Sequence, residues 1–529
     1  MMLGPVVETE SGPVRGLWRG PGLLNYAADP SQLLDDPAAH IDETRPEEAE
    51  AGPGPNGEGG TRPAAFLGIP YAQAPVRELR FAAPRPRDPW SVPLDCTQYG
   101  PTPVLETAEG SLVPEPAFPG QDILNLNVFT PNLTPQTPAP VLVYIHGGGF
   151  TGGSPSSPWY DGRSFSRDGV VSVNISYRLG LEGFGWIEGA PANRGVLDWL
   201  AALEWVQQNI HAFGGDPQDV TIAGQSAGGG AVLTLLGMPK AQGLFRKAWV
   251  ISGAAADIPM RSAQATAREL GKIAGVAPTV EGFSSLSRRQ VWEAEQELQR
   301  RALRPSLSLV MSGPTKGLSF GPVIDGETVK ESTIAAILGG IGAEKHLLIG
   351  ATEDEFTSLA GSIPAFATAV PPRLLLALWG LRGRAARRYL RGRAARHQKT
   401  SVTVGRFVTD FQFRAPALEV AQARGNGPTW LYSFEWTGAK ERYAIHCSDV
   451  PFWFDCLDQP YVNWLLGHAL PIRLAKQMHA AAVDFVVTGN PGWPRAHSEE
   501  PIAMIFDGSA EERLEGGAYS AEEELLRLK

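Results

Sequence analysis

The chain has 529 residues, 43% of them hydrophobic and 19% charged, enough apolar material for a large core under an ordinary polar surface, which excludes wholesale disorder. Forty-six lysines and arginines against 56 aspartates and glutamates give a net charge of −10, the wrong sign for a protein that neutralises nucleic-acid phosphates. Three cysteines, Cys96, Cys447 and Cys456, make neither a disulfide framework nor a zinc-ligand spacing, and no apolar run reaches the roughly 18 to 20 residues that span a bilayer.

The opening residues, Met1 to Glu10, carry neither the basic nor the apolar part of a secretory leader, so a soluble, cytoplasmic protein is expected, without a membrane or nucleic-acid partner. The sequons at Asn132 and Asn174 are then chance matches. From about residue 21 to 63 the chain is rich in proline, glycine and acid. Nine acids and two bases between Asp29 and Arg62 place −7 of the net charge there, and the stretch is expected to be a mobile, solvated insertion. After it, Val141 to His146, Val170 to Tyr177, Val220 to Ala223, Ala248 to Ser252, His346 to Gly350 and Trp430 to Phe434 read as buried strands. Val196, Leu197, Leu200, Leu203, Val206 and Ile210 recur at helical spacing, and Phe213-Gly214-Gly215-Asp216-Pro217 terminates that helix. Strands separated by crossover-length segments imply a mostly parallel sheet with helices on both faces. Between Ala365 and Lys399 eight arginines accumulate (Arg373, Arg382, Arg384, Arg387, Arg388, Arg391, Arg393 and Arg396). They are expected on surface helices whose arginines meet acidic surface elsewhere.

The chemistry centres on Val220-Thr221-Ile222-Ala223-Gly224-Gln225-Ser226-Ala227-Gly228-Gly229-Gly230, an apolar strand running through Gly-x-Ser-x-Gly into small residues. A nucleophile elbow turns its serine sharply between strand and helix, so the positions two before and two after must lack side chains; Gly224 and Gly228 meet that need. A serine hydroxyl also needs a base and a site for the oxyanion of the tetrahedral intermediate. The strand Val141 to His146 ends in Gly147-Gly148-Gly149-Phe150, and the amides of Gly148, Gly149 and Ala227 are expected to form a three-donor oxyanion hole, His146 being structural.

In an elbow architecture the acid and the histidine follow the serine. Of the histidines after Ser226, His346 opens a strand and His397 sits in the arginine-rich stretch. His468 and His479 fall in helical patterns, and His497 lies in a polar stretch near the end. His446, in a loop after a predicted strand, is the expected base. Glu353, Asp354 and Glu355 follow the strand around Leu348, and spacing does not choose among these three carboxylates.

These residues resemble the type-B carboxylesterase and cholinesterase-like family of α/β-hydrolases. The likeness extends to Phe66-Leu67-Gly68-Ile69-Pro70-Tyr71-Ala72, Leu79-Arg80-Phe81, Leu124-Asn125-Leu126-Asn127-Val128-Phe129, Tyr177-Arg178-Leu179-Gly180, Phe320 to Gly326 and Thr488-Gly489-Asn490-Pro491. The resemblance implies an α/β-hydrolase fold with large helical insertions, occupying 1–529 as a single catalytic domain. It places the family's Asp-Glu pair on Asp354-Glu355, making Glu355 the triad acid, and its His-x-x-Asp-Leu-Pro block on His446, Asp449, Val450 and Pro451. Gln225 stands where many members have Glu, and Phe356 and Cys447 replace glycines common after the acid and the histidine.

The expected activity is that of a serine carboxylesterase: Ser226 attacks a small-molecule ester, His446 is the base, Glu355 orients it, and water resolves the acyl-enzyme, with no metal or cofactor. Phe150, Trp159, Phe320, Phe413, Phe452 and Trp453 are the expected lining of an apolar pocket. A carbamate or activated amide would use the same oxyanion chemistry. A non-catalytic adhesion or scaffold protein on the same fold is the rival from another class, and the intact triad argues against it.

Overall fold

The computed structural model describes residues 4–19, 62–106, 111–303, 318–357, 370–392, 399–425, 427–440, 442–497, 501–509, 511 and 513–528. The acidic insertion at about 21–63 lies outside the described residues except for Arg62 and Pro63, and so do Arg393, Arg396 and His397.

One 11-stranded sheet organises the chain. Its strands are β1 (Leu17–Trp18), β2 (Ala64–Pro70), β3 (Asn125–Thr130), β4 (Ala139–Ile145), β5 (Val171–Ile175), β6 (Gly215–Gln225), β7 (Lys247–Ile251), β8 (His346–Thr352), β9 (Thr429–Phe434), β10 (Ile502–Phe506) and β11 (Arg513–Gly516). In space they run β11-β10-β9-β8-β7-β6-β4-β5-β3-β2-β1. From β5 through β10 every pairing is parallel, and the antiparallel pairings fall at the two edges.

Alternate residues of the same strands enter two different hydrophobic clusters. Val141, Val143, Ile145, Val220, Ile222, Val250 and Ile349 face one, and Leu142, Tyr144, Ala223, Trp249, Leu348 and Trp430 face the other. A strand buried on both faces has to be apolar at every position, which is why these runs read as uninterrupted hydrophobic blocks.

The helices that matter for the site are α1 (Gly180–Phe184), α2 (Arg194–Asn209), α3 (Ala227–Leu236), α4 (Arg288–Leu303), α5 (Pro372–Leu378), α6 (Gly383–Gly392), α7 (Thr400–Thr409), α8 (Ala415–Ala423) and α9 (Ile472–Thr488). Helices α2, α3 and α8 cover the first face and α9 the second. Helix α2 matches the expected periodicity. It runs out through a 3-10 turn, Ile210–Phe213, into Gly214, whose φ of 83° is the left-handed conformation that a glycine reaches without strain.

An unanticipated strand appears and two expectations change. β3 is a fully buried strand, third from the β1 edge, although it reads Asn-Leu-Asn-Val-Phe-Thr, because its polar side chains find partners: Asn125 Nδ2 donates to Pro101 O at 2.8 Å, and Asn127 Oδ1 accepts from Gly68 N at 2.9 Å. His468 lies in an exposed bend ahead of α9, not in a helix, whereas His479 is on α9. Among the described arginines of the basic stretch only Arg388 meets an acid, Glu524, at 3.2 Å, while Arg373, Arg382, Arg384, Arg387 and Arg391 stand exposed on or beside α5 and α6.

Arg178, just after β5, is fully buried. Its guanidinium grips Asp198 of α2 through Nε at 2.9 Å and Nη2 at 2.7 Å, and its Nη1 donates to Ala82 O at 2.6 Å. A bidentate pair that also satisfies a carbonyl is the form in which a buried ion pair survives desolvation. Asp198→Ala strands the guanidinium without a counter-charge and is expected to lower stability by about 3–5 kcal/mol in chemical denaturation, with a smaller loss in a variant that replaces both partners by apolar residues.

Candidate active site

β6 delivers Ser226 at the start of α3 with φ 58° and ψ −121°, a conformation disfavoured for a side-chain-bearing residue. The turn closes only because glycines flank it. A Cβ on Gly228 would sit 2.0 Å from Ile145 O, and one on Gly224 would sit 2.4 Å from Gly228 C. The ends of β4 and β6 are thus in backbone contact. Hydrogen bonds from Ser226 N to Ile251 O at 3.0 Å and from Gly230 N to Ser226 O at 2.9 Å fix the turn against β7 and α3.

Ser226 Oγ lies 2.8 Å from His446 Nε2. On the other side of the ring, His446 Nδ1 is hydrogen-bonded to Glu355 Oε2, which assigns the proton to Nδ1 and leaves Nε2 as the acceptor of the serine hydroxyl. The other oxygen, Glu355 Oε1, accepts from Thr352 N at 2.9 Å, and His446 N donates to Glu355 O at 3.0 Å, so the loops after β8 and β9 are tied to each other. Both side chains are buried, Glu355 to 1% and His446 to 7% exposure. Gln225 Nε2 is 3.3 Å from His446 Nε2. A neutral amide therefore stands where many resembling proteins carry a carboxylate.

Asp354 turns the opposite way from its neighbour. It pairs with Arg406 of α7 at 2.8 Å and accepts from Thr357 Oγ1 at 2.8 Å, which fixes the loop rather than the histidine. Asp449 is buried behind the histidine loop, its Oδ2 accepting from Trp453 Nε1 at 3.2 Å and Tyr432 OH at 3.3 Å. Burial, and secondarily the charge of Glu355, pushes its carboxyl up to about 7.

Gly148 and Gly149 adopt φ values of 101° and 62°, and Thr151 N and Gly152 N both close back onto Gly148 O at 3.1 and 2.8 Å. The amides of Gly148, Gly149 and Ala227 have no backbone acceptor among the described residues, and all three residues line the same cavity as Ser226 and His446. His146, as expected, is structural. Its ring stacks on Tyr177 at 4.4 Å, its Nδ1 is 2.9 Å from Gly147 O, and burial lowers its basicity to about 4.

The cavity has a volume of about 570 Å³. Phe356 and Phe413 flank the imidazole with ring centroids at 5.1 and 5.3 Å, and Phe411, Gln412 and Phe413 come from a π-helical turn, Asp410–Arg414, between α7 and α8. Such turns recur at functional sites because the extra residue re-aims side chains. Of the six aromatics expected to line the pocket only Phe413 does so. Phe150, Trp159, Phe320, Phe452 and Trp453 are each at most 1% exposed and belong to the core, where large rings gain most from burial. Phe356 and Cys447 do reach the cavity. Cys447 has φ 67°, which is why glycine suits this position, and burial raises its thiol well above the ordinary value, leaving it an inert group. Sequence reasoning missed Glu115, whose carboxyl also lines the cavity and is pushed up to about 7 by burial. Its surroundings, Val113-Pro114-Glu115-Pro116, carry no motif that would have singled it out.

A centrally parallel sheet, a strained serine on a strand-to-helix elbow, and a carboxylate and a histidine on the loops after β8 and β9 define the α/β-hydrolase class. Residues 55–504 match the model of the carboxylesterase family. The para-nitrobenzyl esterase of Bacillus subtilis (strain 168) is 34% identical over 466 residues, covering 84% of this chain and 91% of that protein. The fumonisin B1 esterase of Sphingopyxis macrogoltabida is 32% identical over 458 residues, 81% of each chain. Among solved structures, a PNB esterase superposes with a TM-score of 0.78 at 30% identity over 99% of both chains, and a Geobacillus stearothermophilus carboxylesterase with 0.77 at 30% identity over 98% of this chain and 99% of its own. The chain belongs to the carboxylesterase family and is a carboxylic ester hydrolase.

Gly228→Ala is expected to force β4 and β6 apart at the elbow and to reduce esterase turnover by about 100-fold or more, read as kcat on a 4-nitrophenyl ester. The same substitution at Gly243, where a Cβ meets nothing within 4 Å, should leave turnover within about twofold.

Proposed function

We propose that the chain is a serine carboxylesterase working through an acyl-enzyme on small-molecule esters. Ser226 is the nucleophile, His446 the general base and then the general acid, and Glu355 the carboxylate that holds the imidazole tautomer and stabilises the imidazolium. The amides of Gly148, Gly149 and Ala227 receive the oxyanion, assisted by the positive end of α3. The observation that carries this reading is the unbroken hydrogen-bonded series from Ser226 Oγ through His446 to Glu355 at the wall of the cavity.

In the first step His446 Nε2 takes the serine proton as Oγ attacks the ester carbonyl, and the carbonyl oxygen becomes the oxyanion facing the three amides. Collapse expels the alcohol, which takes its proton from the imidazolium. Water, deprotonated by the same nitrogen, then resolves the acyl-enzyme. The sequence of steps calls on no metal or cofactor. A carbamate carbonyl meets the same groups, and turnover of a matched ester and carbamate of one alcohol measures the preference.

The chain is proposed to act as a single catalytic domain, a reading supported by one sheet that takes in strands from Leu17 to Gly516. A cytoplasmic location suits its three unpaired, buried cysteines, which a reducing compartment keeps as thiols. Among the described residues no helix is long and apolar enough to cross a membrane.

Hydrolysis of 4-nitrophenyl acetate, butyrate and octanoate beside Ser226→Ala tests the mechanism. Wild type is expected to turn over, with a nitrophenol burst where deacylation limits, and the variant to lose about 10⁴-fold or more in kcat. Equal activity of the two proteins would remove Ser226 from the mechanism. Glu355→Gln, which leaves the imidazole in the wrong tautomer, is expected to cost about 10⁴-fold in kcat with the fold intact.

A further inference from the structure

The oxyanion loop stands on a short helix that is itself held by a buried carboxyl. Phe150, the residue after Gly149, has φ 60°, and its carbonyl accepts from Gly180 N at 2.7 Å. Its ring packs against Phe184 at 4.8 Å, so both ends of α1 touch this one residue. The next amide of α1, Leu181 N, donates to Glu295 Oε1 of α4 at 2.6 Å. Gly180 lies directly on that carboxyl, where a Cβ would come within 2.3 Å of Oε1. Glu295 and Thr151 also face a shared small cavity of about 50 Å³ beneath the loop.

We propose that Glu295 is a positioning residue for the oxyanion loop: by holding the first turn of α1 it sets the Phe150 carbonyl and, one residue further, the amides of Gly149 and Gly148. The proposal rests on the serine-hydrolase reading above. It adds a residue on a different helix, with no contact to the catalytic serine, histidine or glutamate among the hydrogen bonds described.

The charges around Glu295 make its ionisation costly. From α1, Glu182 faces it with the same sign. Arg80, from the loop before β3, and Arg288, from α4 itself, are both drawn to Glu182, at 2.9 and 3.5 Å. From α2, Arg194 is spent on the carbonyls of Leu181, Glu182 and Gly185 at 2.6 to 2.8 Å. Burial therefore dominates and pushes the Glu295 carboxyl up to about 8, opposed first by the hydrogen bond from Leu181 N and then by Arg288 and Arg80, with Glu182 adding to the rise. At neutral pH Glu295 is the uncharged acid. Above about 8 it becomes a carboxylate that still accepts from Leu181 N but faces the like charge of Glu182 while Arg80 and Arg288 stay paired with Glu182, so it must draw solvent or shift, and α1, tied to it, is displaced.

The experiment is kcat and KM on 4-nitrophenyl butyrate from pH 6.5 to 9.5 for wild type, Glu295→Gln and Glu295→Leu, with Ser226→Ala in parallel. Wild-type kcat is expected to fall about fivefold or more between pH 7 and 9.5. Glu295→Gln keeps an acceptor for Leu181 N and cannot ionise, so it should retain most of kcat at pH 7 and lose the alkaline fall. Glu295→Leu lacks the acceptor and should lose about tenfold or more in kcat at every pH with KM within about threefold, because only the oxyanion donors are displaced. A wild-type profile flat to pH 9.5, a Glu295→Gln profile that falls like wild type, or a Glu295→Leu variant with wild-type kcat would each overturn the proposal. If Glu295→Leu does not fold, the comparison of Glu295→Gln with wild type decides alone. Turnover by Ser226→Ala would instead overturn the serine reading, whatever the Glu295 variants do.

Discussion

The close approach of two backbones at the end of the sheet is the constraint on which the site depends. Ile145, the last residue of β4, presents its carbonyl where any side chain on Gly228 would be, and Gly224 closes on Gly228 from the other side. The parallel register of β4 and β6, with Ile145 opposite Gly224, sets this meeting. The strain of Ser226, of the order of 1–3 kcal/mol for such a backbone, is held in place by β7 through Ile251 and by the first turn of α3. The same meeting puts the glycine loop that follows β4 beside the amide that follows the serine. The proposed nucleophile and oxyanion donors are therefore products of a single contact between neighbouring strands, and a displacement of either strand removes both.

Beyond that contact, the loops around the site are fixed by polar groups taken out of water. Asp354 with Arg406 ties the loop that carries Glu355 to α7, while Arg178 with Asp198 and Glu295 with Leu181 join the elements packed behind the site to one another. A buried ionic group contributes little net stability compared with an apolar replacement, but its partners are few and directional. An apolar contact would tolerate the sub-ångström slips that an oxyanion site does not. This arrangement explains why polar residues at these positions lie deep inside a molecule whose strands are otherwise apolar throughout.

The central strands were legible in the sequence because burial on both faces forces a continuous apolar run, and the elbow because its two glycines answer a steric demand. β3 was not legible as a strand, since its asparagines interrupt the run and are satisfied in part by loops distant in the chain, at Pro101 and Gly68. The triad acid could not be chosen from spacing either. Asp354 and Glu355 are adjacent, and only the direction each takes, one toward Arg406 and the other toward His446, separates them; the family resemblance named Glu355 without that geometry. The lining of the cavity was the least legible part. Large aromatic residues are drawn first to the core, so their identity says little about a pocket, and of the residues that do face it Phe411, Gln412 and Phe413 come from a π-helical turn with no sequence signature.

The electrostatics around His446 follow from how few negative charges the site retains. Gln225 is uncharged, and Asp449, pushed up to about 7 by burial and by Glu355, is neutral below that value. In the proposed mechanism Glu355 is then the one carboxylate in contact with the imidazole. Two aromatic faces, Phe356 and Phe413, lie against the same ring. Between two buried side chains a single well-aimed charge acts more strongly on the imidazolium than it would in water. A second buried carboxylate would add to that attraction, but it would also oppose the negative charge growing on the substrate oxygen. A neutral amide at 225 avoids that opposition and, in the proposed mechanism, leaves the oxyanion to the uncharged donors of Gly148, Gly149 and Ala227.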